Sequence, residues 1–260
     1  KVLIKELQSY KKQYAVPRKT LIDNLEEAVV EEKKIEEMDV VFLMDRFGYA
    51  KTVDVSVYER NKEAADTENR YILTCKNTDK ICIFTNKGQM HLLKVLDLPY
   101  GKFRDKGIPI DNLSNYNSSE ENFIYIINLG AIIHSRLLFG TKTAMLKMVD
   151  GSEFDVAKRT TASTKLNEDD ELLIVHAMTG EETVVMQSEK EMFLRIEAST
   201  IPEKKKGAVG VRGMKLNAGD ALSNIYVLDG ESEQTVEVKG KEVVLNRLRV
   251  GNRDTKGTKR

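Results

Sequence analysis

The sequence predicts an all-β fold of about five four-stranded units closed into a propeller-like ring, with a short helix at its N-terminal end. Three observations predict it. From Asp39 onward short apolar runs alternate with turns and no stretch sustains three helical turns, which is the texture of many short strands. Residues also recur at a step of about fifty: Lys106-Gly107, Lys206-Gly207 and Lys256-Gly257; Lys165-Leu166-Asn167 and Lys215-Leu216-Asn217; Gly130, Gly180 and Gly230, so the chain reads as an array of repeated units. Finally, five hairpin tips align: Arg46-Phe47-Gly48, Asn86-Lys87-Gly88, Thr141-Lys142-Thr143, Glu189-Lys190-Glu191 and Val238-Lys239-Gly240. A glycine or a polar pair at such a tip supplies the backbone conformation that a tight turn requires.

In chain order, residues 1–20 come first. Leu3, Leu7, Tyr10 and Tyr14 keep helical spacing until Pro17, which predicts an amphipathic helix ending there and entering the domain. Residues 21–38 form an acidic connector with one strand candidate near Leu25–Val30. Residues 39–260 hold the array. Strands flank each tip, as in Lys80–Thr85 with Gln89–Val95, or Thr183–Gln187 with Met192–Ile196. Each unit then offers a longer polar or basic loop and a further strand. A four-stranded unit cannot bury both of its faces alone, so neighbours must stack, and radial closure protects the edges.

Composition narrows function. The 41 basic and 41 acidic residues balance, so no global excess points to nucleic acid or to an acidic membrane. Their distribution is uneven: residues 201–260 carry 13 basic and 8 acidic groups, whereas residues 120–200 carry 8 and 14. No apolar run approaches the length that spans a bilayer and no signal peptide is visible, so a cytoplasmic protein with no membrane partner is expected. Cys75 and Cys82 fit neither a zinc set nor a disulfide framework and read as buried thiols. His91, His134 and His176 are scattered and read as strand residues rather than as bases or ligands. Glu168-Asp169-Asp170-Glu171 reads as a solvated acidic turn, because no ordered ligand spacing accompanies it. No catalytic residue, metal site or cofactor is expected in this stretch. The first residue is a lysine inside a helical pattern, and the chain reads as a fragment of a longer one.

Four passages carry a family resemblance: Tyr10–Thr20, Val40–Lys51, Tyr100–Leu113 and Lys206–Leu216. In order and spacing they resemble the C-terminal domain of the A subunit of a bacterial type IIA topoisomerase, the group of DNA gyrase and topoisomerase IV. The resemblance implies a β-pinwheel, a ring whose blades exchange strands and whose basic rim bends double-stranded DNA. It also implies an ATP-dependent isomerase as the whole enzyme. The cleaving tyrosine would lie in an upstream domain, and the partners would be the rest of the A subunit, together with an ATPase B subunit. One departure matters. Gyrase carries a glutamine-arginine-arginine-glycine-glycine box after its first-blade hairpin, whereas the corresponding loop here, Tyr58–Arg70, has no glycine and four acids. The reading therefore tilts toward topoisomerase IV or a gyrase-like relative, with little trapped negative writhe.

DNA bending needs cations spaced along a curved surface, since each neutralised phosphate releases counterions. The expected contacts are Lys102, Arg104 and Lys106; Lys204, Lys205, Lys206 and Arg212; and Arg247, Arg249, Arg253 and Lys256. Tip residues Lys87, Lys142, Lys190 and Lys239 would form a second ring. In the third unit the loop Asp150–Arg159 replaces the repeating glycine by Ala157 among acids, so the DNA path should favour the second, fourth and fifth units. Exposed lysines are equally the ordinary solvated face of any protein, and a propeller-like scaffold binding other proteins is the alternative.

Overall fold

The computed structural model describes residues 2–17 and 35–260. The strand candidate at Leu25–Val30 lies outside the described residues. Contacts divide the chain into two units, Lys1–Glu36 and Glu37–Arg260. In the first, helix α1 (Val2–Tyr14) buries no residue.

The second unit opens with β1 (Asp39–Asp45), β2 (Tyr49–Asp54), helices α2 (Val55–Arg60) and α3 (Lys62–Glu68), and β3 (Asn69–Lys76). It continues through β4 (Lys80–Thr85), β5 (Gln89–Lys94), β6 (Ile108–Pro109), β7 (Phe123–Asn128), β8 (Arg136–Thr141) and β9 (Met145–Asp150). Next come β10 (Thr160–Ala162), β11 (Leu172–Met178), β12 (Thr183–Ser188), β13 (Met192–Glu197), β14 (Val211–Arg212) and β15 (Leu222–Leu228). The last are β16 (Thr235–Val238), β17 (Lys241–Val244) and β18 (Thr258–Lys259).

These strands form four sheets of four strands, ordered β3-β1-β2-β6, β7-β4-β5-β10, β11-β8-β9-β14 and β15-β12-β13-β18, and a fifth unit that is the β16-β17 hairpin. All the ladders are antiparallel. In each sheet a hairpin supplies the two central strands, and a later strand of the same unit pairs back on the first of them. The fourth comes from beyond the next hairpin: β6 follows the β4-β5 hairpin yet completes sheet 1, and β10, β14 and β18 do the same for sheets 2, 3 and 4. The architecture is a strand-exchanged β-pinwheel.

All five tips lie in turns. Gly48 and Gly88 hold positive φ at the first two, while Ala144 and Glu191 take the same conformation at φ 62° in the third and fourth. That is why those tips carry no glycine signature. Central strands read as unbroken apolar runs because neighbouring sheets cover both faces. Ile81 and Ile83 pack with Phe42 and Met44 of sheet 1, while the alternate residues Cys82 and Phe84 pack with Phe139 of sheet 3. Further layers join sheet 3 to sheet 4 and sheet 4 to the fifth hairpin.

The segment after the first hairpin is helical rather than a loop. Asp54 caps α2 by accepting from the Ser56 amide at 2.8 Å, and Val55, Val57 and Tyr58 pack on Val41, Leu43, Val53 and Ala65. Spacing between units also differs from the constant step. The residues of the returning strands that face β2, β5, β9 and β13 at equivalent points are Ile108, Thr161, Val211 and Thr258, so the interval shortens along the chain. Gly107 and Gly257 therefore correspond to Gly210, not to Gly207, and the residue of the third unit at that point is Thr160, not Ala157.

Candidate nucleic-acid interface

Each returning strand is preceded by a loop that runs along the second hairpin strand of the sheet it completes. The pattern repeats closely. The Thr52 amide donates to Pro99 O at 2.9 Å and the Met148 amide to Pro202 O at 3.1 Å. Parallel bridges join Thr52 to Tyr100, Met148 to Glu203 and Arg195 to Val250. The glycine that ends three of these loops is required by close approach: a Cβ on Gly107 would stand 2.7 Å from Ala50 O, one on Gly210 2.6 Å from Leu146 O, and one on Gly257 2.7 Å from Phe193 O. The basic loops after the second, fourth and fifth hairpins thus lie against the edges of sheets 1, 3 and 4.

At the edge of sheet 1, Lys102, Arg104 and Lys106 are exposed. At the edge of sheet 3, Lys204 is exposed, and Lys205, 87% exposed, makes a 3.3 Å ion pair with Glu153. Lys206 is half-buried and donates from Nζ to Glu153 O at 2.6 Å. Arg212 is 3.5 Å from Asp254. Beside sheet 4, Arg249 and Lys256 are exposed, Arg247 pairs with Glu233 at 3.2 Å, and half-buried Arg253 donates to Arg212 O at 2.9 Å. Among the described residues Lys102, Arg104, Lys106, Lys204, Arg249 and Lys256 make no ion pair. The loop at the edge of sheet 2 is mixed: Lys158 and Arg159 are exposed, but so is Asp155, which lies 3.6 Å from Lys80.

The tip lysines are engaged by the protein. Glu171 takes Lys142 at 2.5 Å and Lys87 at 3.0 Å, joining the tips of sheets 2 and 3. These two lysines hold the Glu171 carboxyl below its usual range. Lys239 pairs with Glu191 at 2.6 Å, and Lys190 donates to Ala218 O at 2.8 Å. The acidic turn is accordingly structural: Asp170 accepts from the Thr143 amide at 3.0 Å and hydroxyl at 2.5 Å. No group of acids, histidines and cysteines among the described residues could hold a metal ion.

Two lysines that the sequence pattern did not single out lie beneath the loops. Lys51 on β2 donates from Nζ to Phe103 O and, at 2.9 Å, to Asp105 O. Lys147 on β9, only 1% exposed, donates to Lys205 O at 3.3 Å, Lys206 O at 2.7 Å and Ala208 O at 2.8 Å. Burial pushes the Lys147 amine down to about 8, against the pull of Glu153. His91 occupies the matching place on β5. It is buried, with Nε2 2.8 Å from Glu121 and Nδ1 3.1 Å from Thr160 Oγ1. His176 also lies on a strand, whereas His134 lies in the turn before β8. Cys75 and Cys82 are buried, and burial raises their thiols to about 11 and about 12, which keeps them protonated and unreactive. No described helix is long and apolar enough to cross a membrane.

The family described as DNA gyrase C-terminal domain, beta-propeller, matches residues 135–176 and 182–229, which hold most of sheets 3 and 4. The A subunit of DNA gyrase from Lawsonia intracellularis is 27% identical over 98% of this chain and 33% of its own length. That of Staphylococcus epidermidis is 29% identical over 98% of this chain and 30% of its own length. The chain thus spans about a third of the curated relatives it matches. In fold, the C-terminal domain of DNA topoisomerase IV superposes with a TM-score of 0.76 at 22% identity, covering 86% of this chain and 73% of that one. The DNA gyrase A C-terminal domain superposes at 0.57 and 17% identity, covering 85% and 76%. By sequence along nearly its whole length this chain is similar to the A subunits of bacterial DNA gyrases, and by fold over most of it to the C-terminal domains of DNA gyrase A and topoisomerase IV.

Proposed function

We propose that the unit Glu37–Arg260 binds and bends duplex DNA and presents the bent segment to the cleavage core of a type IIA topoisomerase for strand passage. The observation that carries this reading is the recurrence of exposed, unpaired cations in the loops along successive sheet edges. Sequence-reading groups are not needed for this task. Bending a site of a few turns costs on the order of 1–6 kcal/mol, which phosphate contacts offset. The contact set is Lys102, Arg104, Lys106, Lys204, Lys205, Arg212, Arg249 and Lys256, with Lys206, Arg247 and Arg253 behind them. Lys87, Lys142 and Lys239 serve first to join tips and contribute less.

In the whole enzyme this unit works beside the rest of the A subunit, together with an ATPase B subunit, in the bacterial cytoplasm. Strand cleavage by an upstream tyrosine and ATP turnover belong to those parts. No cofactor is assigned to this stretch.

Duplex binding measured across a salt series tests the reading. The logarithm of the affinity should fall linearly with the logarithm of salt, and Lys205→Glu should weaken binding on unrelated sequences alike, lowering the slope by about 0.9 for each phosphate that is no longer neutralised. Binding that is absent at low salt, or indifferent to salt, would overturn it in favour of a protein-binding rim.

A further inference from the structure

The exposed cations do not themselves shape the loops that carry them. That task falls to Lys51 and Lys147, and the ladder register shows that it is one device used twice. Ile108 faces Ala50 and Val211 faces Leu146, so Phe103 and Asp105 stand where Lys206 and Ala208 stand. Those are the carbonyls that Lys51 and Lys147 gather. An aromatic ring lies by each ammonium, Phe103 at 5.1 Å from Lys51 and Phe139 at 5.3 Å from Lys147.

In a trans peptide the carbonyl and the following N–H point in opposite directions. Carbonyls turned inward onto the lysine therefore turn outward the amides of Arg104 and Lys106 in one loop, and of Gly207 and Val209 in the other. None of these four amides has a protein acceptor among the described residues. The Lys206 amide is different, donating to Glu153 at 3.0 Å. Outward N–H groups at alternate positions, with lysine and arginine side chains beside them, present donors and positive charge to a phosphate.

We propose that Lys51 and Lys147 build two phosphate sites, made of the amide pairs Arg104/Lys106 and Gly207/Val209, and that both lysines are positioning residues that never touch DNA. The inference rests on the DNA-bending reading and names the contact points within it. It also separates strong loops from weak ones. At the matching place sheet 2 has His91, turned to Glu121 and Thr160, and sheet 4 has Leu194, which has no donor. The loops 155–159 and 252–256 therefore lack this lysine clamp.

Amide resonances of the nitrogen-15-labelled full chain, titrated with a short duplex at low salt, test this. Duplex should shift Arg104, Lys106, Gly207 and Val209 in the native protein. In Lys147→Met the Gly207 and Val209 shifts should vanish while Arg104 and Lys106 still respond, and affinity should drop about fivefold to tenfold on unrelated sequences. Lys51→Met should give the mirror result, and it serves alone if the buried Lys147→Met change prevents folding. A native protein that binds duplex with the four amides unmoved overturns the inference and spares the DNA reading, as does Lys147→Met with full affinity and unchanged Gly207 and Val209 shifts. A native protein that binds no duplex overturns both.

Discussion

Gly210→Ala, set beside Gly207→Ala, tests the register of the whole array. The fifty-residue repeat makes Gly207 the counterpart of Gly107 and Gly257, whereas the ladders give that place to Gly210. At Gly210 the backbone has φ +105°, and an added Cβ would lie 2.6 Å from Leu146 O and 3.1 Å from Leu146 C. The first feature costs a side-chain-bearing residue about 1–2 kcal/mol. The second meets backbone rather than a flexible side chain, so β14 must move off β9, for roughly 1–3 kcal/mol more. Together they predict a loss of about 2–5 kcal/mol for Gly210→Ala. A Cβ on Gly207 meets nothing within 4 Å, and that substitution should stay within about 0.5 kcal/mol. The chain has no tryptophan, so urea unfolding is best followed by far-ultraviolet circular dichroism, comparing midpoints at an unchanged slope. Equal effects, or a larger loss at Gly207, would refute the register and with it the equivalence of the two lysine clamps.

Three further outcomes are expected. Glu182 is buried, which alone would raise its carboxyl, but the amides of Thr179 and Gly180 and the Thr179 hydroxyl, at 2.6, 2.7 and 2.7 Å, bring it down to about 2. Its contribution is therefore complete above the usual glutamate range and is lost as pH falls toward 2. Glu182→Gln should cost on the order of 2 kcal/mol at pH 7 and flatten stability against pH below about 4.5, and an unchanged acid slope would count against this. Glu171→Gln should lower the unfolding free energy, read from urea titration, by no more than about 1 kcal/mol, because the Lys87 and Lys142 pairs are partly exposed, and a loss beyond about 2 kcal/mol would show that the tip link matters more than its exposure implies. Nicked circles ligated in the presence of the full chain should trap little negative writhe, since α2 and α3 occupy the place of a glycine-rich basic box. Strong trapping would contradict that expectation.

How much of this was legible in the sequence follows from the length of each pattern. The hairpins were visible because six-residue apolar runs flank a glycine or polar tip. The returning strands were not: β6, β14 and β18 have two residues each, too few for any period, and their partners lie outside their own unit. A constant step therefore aligns Gly207 and Ala157 where the ladders place Gly210 and Thr160. The exposed loop cations were read from composition, which sees charge but not company. It therefore places Lys87 and Lys142 in a second ring of contacts, because it does not show that Glu171, far along the chain from Lys87, pairs with both. Lys51 and Lys147 were passed over for the opposite reason. A lysine in mid-strand looks like an outward-facing residue, and only the fold shows a ring of carbonyls waiting for it.

Strand exchange also settles what can be removed from this protein. Along the chain the β16-β17 hairpin falls between β15 and β18, the edge strand of sheet 4, just as the β4-β5 hairpin falls between β3 and β6, the edge strand of sheet 1. A cut at any unit boundary therefore injures the unit before the cut as well as those after it, exposing β13, β9, β5 or β2 as a raw edge. Nature can lengthen such an array only by adding a unit together with the closing strand of its predecessor. Trimmed versions would associate through the exposed edge before they lost their fold.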